Sequence, residues 1–519
     1  MGDTMTMGIT IRKGHATCRR WLAIGAAVLA LALAPSGLLA GRYRVGRSAD
    51  EKGVKPDCKT VADGLAKLRS AGDELTIAAG PYPESVEGHD LKGTADTPIV
   101  IRGLREAIPA AEADQANAWL AHSATIKPEK GPAMTLKNCS FVRIENLVFQ
   151  GSKDHGLILD NCDHVTVYRC DGADNVRCQV MVKSGQRITL EGCELFGSLR
   201  EHGCQFLASD RPAVRNCEIH HNGGAGIYLS GDKTISGNGL IDSPVIEGNE
   251  LYANGQPKPG APSLLDERGK VAELTPLRVG AAAICGDSIE QAVIRNNLIH
   301  HNPVGGIALY RQFGARAGQH DRVLHNTIYL PDDGAAYGLN LAMSTQDTAV
   351  HNNVIVTDSG PAVWLGPNAS RDLHSDYNVF FRKDGKDAFK REQEELPLTR
   401  WQNLYGIDRN SILLNPPFVD PDNKELPKCD FRLKPESTLE NRCPFNDEVP
   451  SDLLGQWRPK AKVTAGCFEM NPTAESPTPP GQPRRVRAAK SPVPAGEKPA
   501  TPDPTTKPPD NPGPVLPPL

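Results

Sequence analysis

The sequence repeats itself. "AVRNCEIHHNGGAGIYLSG" from Ala213 is restated as "AVIRNNLIHHNPVGGIALYR" from Ala292, down to a doubled histidine followed by Asn. A chain of this kind is built of stacked units, none of which can bury its apolar face alone, and that constrains the fold more than any composition does. Short apolar-x-apolar runs recur about every 22 to 25 residues where the chain is uninterrupted: "GLILD" at Gly156, "QVMVKS" at Gln179, "CQFLAS" at Cys204, "GIYLSG" at Gly226. "AAICGD", "GIALYR", "GLNLAM" and "AVWLG" continue the series to Leu365. Their period of two predicts strands with one buried face.

A second segment follows each strand, among them "VTVYRC", "ITLEGC", "AVRNCEI", "PVIEGNEL", "AVIRNNLI" and "AVHNNVI". Aligned, these segments place Asn146, Cys170, Cys193, Cys217, Asn249, Asn297, Asn326, Asn353 and Asn378 in one column. Asn is expected at a sharp turn of each coil, where it tolerates the left-handed conformation and passes hydrogen bonds between coils; small Cys fills the same slot. The alignment also puts His220, Tyr252, His300 and Tyr329 in a column, with His221 and His301 two rungs apart. At about 4.8 Å per rung those two imidazoles lie near 10 Å from each other, too far to share an ion that holds His at about 2 Å. The doubled histidines therefore read as turn and stacking residues, with His301 exposed.

The ends of the chain differ from its middle. Residues 1–40 carry a basic stretch, "RKGHATCRRW", then an apolar run, "LAIGAAVLALALA", then "PSGLLA". They read as an export signal or N-terminal anchor, since the apolar run is shorter than the roughly 18 residues of a membrane span. A secreted, periplasmic or cell-envelope location follows, with membrane contact only through that segment if it is uncleaved. Residues 471–519 are rich in Pro, Thr, Ser and Lys and are expected to form an extended, disordered tail. A net charge of −4 with dispersed Lys and Arg offers no basic stripe to nucleic acid. Of the 13 Cys, Cys139, Cys162, Cys170, Cys193 and Cys217 follow the repeat and read as buried thiols. Cys178 and Cys204 align at strand starts as a candidate pair, and Cys429, Cys443 and Cys467 are the better disulfide candidates, in the loop-rich closing segment.

A solenoid with coils of this size, repeated about ten times over residues 41–470, resembles the right-handed parallel β-helix of the pectate-lyase-like superfamily. The resemblance implies an all-β fold in which a short amphipathic helix near residues 60–71 caps the N-terminal end. It also implies that the segment containing "DFRLKPESTLENRC" and "AGCFEM" forms a loop-rich C-terminal cap. Caps are physically required because an open solenoid end exposes unpaired strand edges.

A filled core leaves function to an outer face walled by interruptions of the repeat. The longest interruption is "GQPKPGAPSLLDERGKVAELTPLRVG" from Gly255; shorter ones span residues 232–242 and 312–319. Just past the strand cores, Asp160 and Lys183 align, followed by Asp210, Asp232, Asp287 and Arg311. Such a stripe suits an acidic polysaccharide as partner, with the four Asp as ligands for Ca²⁺, the candidate cofactor, and the chain acting as a monomer. The family's uronate lyases abstract the proton α to a carboxylate with Lys or Arg, which makes Lys183 the candidate base and Arg311 its neighbouring cation. "KSGQRITLEGCELFGSLREHG" also resembles the Lys-Ser…Arg-His-Gly pattern of the alginate and chondroitin B lyases, with Glu201 between Arg and His. That resemblance implies Lys183 as base, Arg200 as neutraliser and His202 nearby. Tyr228, Asn340 and Trp364 are the outward strand residues expected to touch sugar rings. The alternative is a non-catalytic carbohydrate-binding or cell-surface scaffold β-helix.

Overall fold

Each coil of the chain contributes three short strands, as in Asp163–Tyr168, Asp171–Ala173 and Val180–Lys183, after which Thr189–Glu191 opens the next coil. The structure is a computed structural model and describes residues 40–46, 55–108, 122–255, 282–331, 334–342, 345–369 and 371–473. Residues 1–39, expected to be an export signal or anchor, the long interruption after Gly255 and residues 474–519 of the expected tail lie outside the described residues. Strands stack coil on coil into three 12-stranded sheets, here A, B and C in the order the chain visits them. Only the last strand of sheet C, Glu394–Leu396, pairs antiparallel within them.

Two strands per coil were readable; the structure has three because the second segment bends. In "VTVYRC" the bend is Arg169, at φ 50°. Before it the chain runs in sheet A, after it in sheet B. The inward row of sheet A stacks Ile144, Val167, Leu190, Val214, Ile246, Ile294, Val323 and Val350 in register, all buried. Like side chains piled on like side chains form one continuous core, which a single coil could not provide.

The Asn column sits at this A-to-B corner, with its role shifted by one position. The left-handed residue is the one before it: Gly192, Asn216, Gly248, Asn296, His325, Asn352 and Tyr377. Asn146 is itself left-handed, and Leu147 fills the buried slot assigned to it. The column residues are fully buried and form a ladder. Asn249 N–H donates to Asn297 Oδ1 (3.0 Å), Asn297 N–H to Asn326 Oδ1 (3.0 Å), and Asn326 N–H to Asn353 Oδ1 (2.9 Å). Each Nδ2 also donates to a sheet A carbonyl of the coil before it, Asn297 to Ile246 O at 3.0 Å. Where Cys replaces Asn, its thiol donates to the equivalent carbonyl: Cys193 Sγ to Val167 O at 3.4 Å and Cys217 Sγ to Leu190 O at 3.7 Å. Cys keeps the donor half of the ladder and gives up the acceptor half.

A second ladder, Asn222–Asn254–Asn302, occupies the corner between sheets B and C. It resolves the doubled histidines. His221 and His301 are the left-handed residues (φ 52° and 50°) just before Asn222 and Asn302. His220 and His300 belong to an outward stack on sheet B, with ring centroids 5.0 Å apart for Phe196–His220, 4.7 Å for His220–Tyr252 and 5.0 Å for Tyr252–His300. His301 is half-buried between Tyr329 and Phe431 and not exposed as the alignment implied.

The N-terminal end is covered by the helix Val61–Leu65, whose N-cap Thr60 Oγ1 accepts from Asp63 N–H at 3.0 Å. The far end departs from expectation. The closing plug is the helix Leu398–Tyr405, with Trp401 fully buried and stacked on Phe389 at 4.6 Å. The loop-rich segment around Phe418, Phe431, Leu439, Cys443 and Cys467 instead lies along the outside of sheet B, against Leu298, Val354, Val356 and Val379. The cause is visible in "VIVT", whose outward Val354 and Val356 are apolar, and in "TIYL", whose outward Thr327 accepts from Cys467 N–H at 3.0 Å; both strands are buried throughout. A sheet whose outer face is apolar needs a cover.

The disulfide candidates are corrected as well. Cys429, Cys443 and Cys467 are free thiols, as are Cys178 and Cys204. Cys178 aligns with His202 and not with Cys204, because Val180 is the partner of Cys204. The five period-following cysteines are buried thiols, with Cys139 and Cys162 at the corner after sheet C.

Candidate functional site

Alternation along the sheet C strands sends one row of side chains outward. In register it runs Ile158, Met181, Gln205, Tyr228, Cys285, Ala308, Asn340, Trp364 and Lys390. The sequence-derived contact residues Tyr228, Asn340 and Trp364 thus share a single row, with small Cys285 and Ala308 between. Tyr228 is buried against the His202 ring, centroids 4.5 Å apart and nearly parallel. Burial pushes its phenol up to about 12, with Asp287 adding to the effect. Trp364 is half-buried. Its Nε1–H donates to Glu392 O at 3.0 Å, the Lys390 ammonium sits 4.3 Å from the ring centroid, and Tyr337 meets it edge-on at 6.3 Å.

The second outward row reads Asp160, Lys183, Leu207, Ser230, Asp287 and Tyr310. Asp160 and Lys183 are neighbours as aligned. Asp210, Asp232 and Arg311 fall outside this row, because the turns after sheet C differ in length from coil to coil. Asp210 bridges to Gln186 at the start of sheet A and accepts from Asp242 N–H at 3.0 Å. Asp232 caps its own loop, accepting from Thr234 N–H and Oγ1–H at 2.7 Å. Asp287 is wholly buried and accepts from Gln312 N–H (2.7 Å) and Phe313 N–H (2.9 Å), a loop anchor. The four Asp are dispersed, so a Ca²⁺ site built from all of them does not fit this arrangement.

The cations expected around Lys183 are dispersed too. Arg311 follows Tyr310, four rungs from Lys183, or about 19 Å at the usual strand spacing. Arg200 and His202 precede the strand Cys204–Leu207, whose last residue is the partner of Lys183, so they sit across the width of sheet C from it. Lys183, Arg200 and Arg311 are exposed. His202 is buried; its Nδ1 accepts from Ala225 N–H at 3.0 Å, and burial pushes its imidazole down to about 4.

Three clusters that the sequence reading missed bring ligand-type atoms within 4.8 Å of one another: His155–Cys178–Glu201, Glu194–Glu218–His220 and His300–His301–Cys429. In the first, the Cys178 thiol donates to Glu201 Oε2 at 3.3 Å and Arg177 Nε to Glu201 Oε1 at 2.8 Å. A guanidinium already neutralises that carboxylate. In the second, Glu194, Glu218 and Glu250 stack in register on sheet B. Burial pushes Glu218 up, and His220 pulls the other way. Tyr252 Oη–H donates to Glu218 Oε1 at 2.7 Å. Stacking of like carboxylates was latent in "EL", "EI" and "EL" recurring at Glu194, Glu218 and Glu250, a signal legible only once the register is known.

The three sheets, the corner ladders and the filled core define a right-handed parallel β-helix. The family described as a right handed beta helix region matches residues 132–314. No curated protein matches the sequence significantly. Among solved structures, the pectate lyase Pel9A is similar at 12% identity and TM-score 0.47, over 83% of this chain and 98% of that one. An alginate lyase from Paenibacillus sp. strain FPU-7 is similar at 14% identity and TM-score 0.40, over 65% and 95% respectively. PfbA, a surface adhesin of Streptococcus pneumoniae, gives 13% and 0.38, over 62% and 85%. These similarities concern the fold alone.

Proposed function

We propose that this is an exported β-helix protein that binds an acidic polysaccharide across the strands of sheet C. The observation that carries the reading is Trp364, half-buried in the outward row of sheet C beside Asn340, with the Lys390 ammonium against its ring. From Asn340 to Lys390 the row crosses two rung spacings, about 10 Å, whereas Tyr228, Cys285 and Ala308 are buried. An aromatic face with an adjoining ammonium suits a sugar ring that carries a carboxylate. Binding, and not cleavage, is the reading the geometry favours, because Lys183 has neither Arg200 nor Arg311 beside it.

Affinity electrophoresis of the full chain in gels containing pectate, alginate, chondroitin sulfate or a neutral glucan tests this. Retardation by an acidic polymer and not by the neutral one is expected, and Trp364→Ala should weaken it roughly tenfold, about 1.4 kcal/mol. Equal retardation by the neutral glucan, or none by any polymer, would sink the reading. Ultraviolet-absorbing unsaturated ends released from any of the polymers would reassign the protein as a lyase.

A further inference from the structure

The His300–His301 doublet meets the covering segment at Cys429. His300 Nδ1 and His301 Nδ1 face each other at 3.0 Å, and His300 Nε2 lies 3.3 Å from Glu250 Oε1. With its Nε2 proton directed at that carboxylate, His300 presents the Nδ1 lone pair toward His301. One ligand atom from each of His300, His301 and Cys429 lies within 4.8 Å of the other two. Two nitrogens and a thiolate on one tetrahedral ion stand about 3.3–3.7 Å from each other, given bond lengths near 2.0–2.1 Å to nitrogen and 2.3 Å to sulfur. The rings are held in place. His300 lies on Tyr252 (5.0 Å) and against Phe431 (4.8 Å), and His301 lies between Tyr329 (5.8 Å) and Phe431 (6.5 Å).

The other doublet serves as an internal comparison. His220 Nδ1 and His221 Nδ1 are 2.9 Å apart, and His220 Nε2 is 3.3 Å from Glu194 Oε1. The paired histidines with a carboxylate behind them are therefore a feature of this corner of the coil, and by themselves they call for no metal. Only at the second doublet does a thiol complete a third position. It arrives from a segment about 130 residues further along the chain, and among the described residues Cys429 is the one cysteine that is not buried.

We propose that His300, His301 and Cys429 form a site for a borderline-soft divalent metal, Zn²⁺ in class, that clips the covering segment onto sheet B. The Glu250 carboxylate, on the far nitrogen of His300, orients that ring and raises its basicity, as carboxylates behind metal-bound histidines do. On binding, the Cys429 thiol releases its proton to solvent and His301 moves its proton from Nδ1 to Nε2. The fourth position is left to water. Such a clip closes a long loop of chain, which is where a cross-link restricts the unfolded state most.

Co²⁺ added to the chelator-stripped, reduced full chain is the probe. One equivalent should bind with sulfur-to-cobalt charge-transfer absorption in the near ultraviolet. Cys429→Ser should abolish that absorption with an unchanged far-ultraviolet circular dichroism spectrum, and Glu250→Gln should weaken binding at least tenfold. His221→Ala, at the doublet without a thiol, should leave it as in the parent. A measurement that needs no variant is Zn²⁺ protection of Cys429 from iodoacetamide, read by peptide mass mapping. Absence of charge transfer at one equivalent, its persistence in Cys429→Ser, or alkylation of Cys429 at the same rate with and without Zn²⁺ would each overturn the proposal.

Discussion

At the scale of single residues, the corner ladders show why two chemically different residues alternate in one column. Asn297 gives Nδ2–H to Ile246 O and Asn326 Oδ1, and takes N–H and Nδ2–H from Asn249. Asn297→Ala leaves the Asn249 backbone amide buried without its acceptor and removes the side-chain bond to Ile246 O, at about 1–3 kcal/mol for the unpaired amide. Asn297→Cys keeps a donor to Ile246, as Cys217 does to Leu190, and should cost less than Ala; urea midpoints of the three proteins give the order. Equal costs for Ala and Cys would show that the acceptor half of the ladder carries the energy. His202 gives a pH signature. Burial, outweighing the nearby Glu201, holds its imidazole neutral down to about 4, whereas the unfolded chain takes up that proton near 6.5. Between those values the unfolded state binds the extra proton, so stability rises with pH and is lost as pH falls through this window. The loss at pH 5 is on the order of 2 kcal/mol. His202→Asn, which can still accept from Ala225 N–H, should be less stable than or equal to the parent at pH 7 yet lose less on going to pH 5. Parallel pH dependence in the two proteins would remove His202 from the account.

At the scale of elements, the covering segment is held together by a buried ion pair, whose guanidinium also ties it to the β-helix beside its apolar contacts with sheet B. Arg458 Nη1 lies 3.2 Å from Glu469 Oε2, both side chains fully buried. The same guanidinium donates to Thr464 O (3.1 Å), Gly466 O (2.9 Å) and Asn296 Oδ1 (3.1 Å), the last on the β-helix itself. Breaking such a pair by removing one partner costs about 3–5 kcal/mol, because the other charge stays buried. Arg458→Met should therefore open the segment while the coils persist: limited proteolysis is expected to cut within residues 414–470 and leave a resistant core. Arg458→Met with Glu469→Leu should recover much of that resistance, since no charge is then left unpaired. Cleavage inside the coils at the same rate would show that segment and β-helix unfold as one unit.

At the scale of the whole molecule, the period of the coil was written in the chain because each coil touches mainly its neighbours, one repeat away. Alternation in "GLILD" or "GIYLSG", the Asn/Cys column and the doubled histidines are local in that sense, and the β-helix follows from them. The N-terminal capping helix was legible in its place but not its length, spanning Val61–Leu65 and not residues 60–71. What a row contains was harder to read. Tyr228, Asn340 and Trp364 lie on regular strands and were read as outward-facing, though their sharing one row was not read; Asp210, Asp232 and Arg311 follow turns of unequal length and fall outside the row assigned to them. Asn249 and Asn297 are ladder neighbours 48 residues apart, whereas Asn138 and Asn161 are neighbours at 23, so an insertion shifts every residue counted across it. The covering segment left still less trace. Arg458 meets Asn296 across 162 residues and Cys467 N–H meets Thr327 across 140, and such contacts have no period. The amino-acid sequence by itself determined the coil, its corners and its core, since these depend on side-chain polarity at fixed spacing. Which thiol reaches which histidine, and which face of the solenoid is covered, only the tertiary structure decided, because those contacts depend on where a non-repeating segment comes to lie.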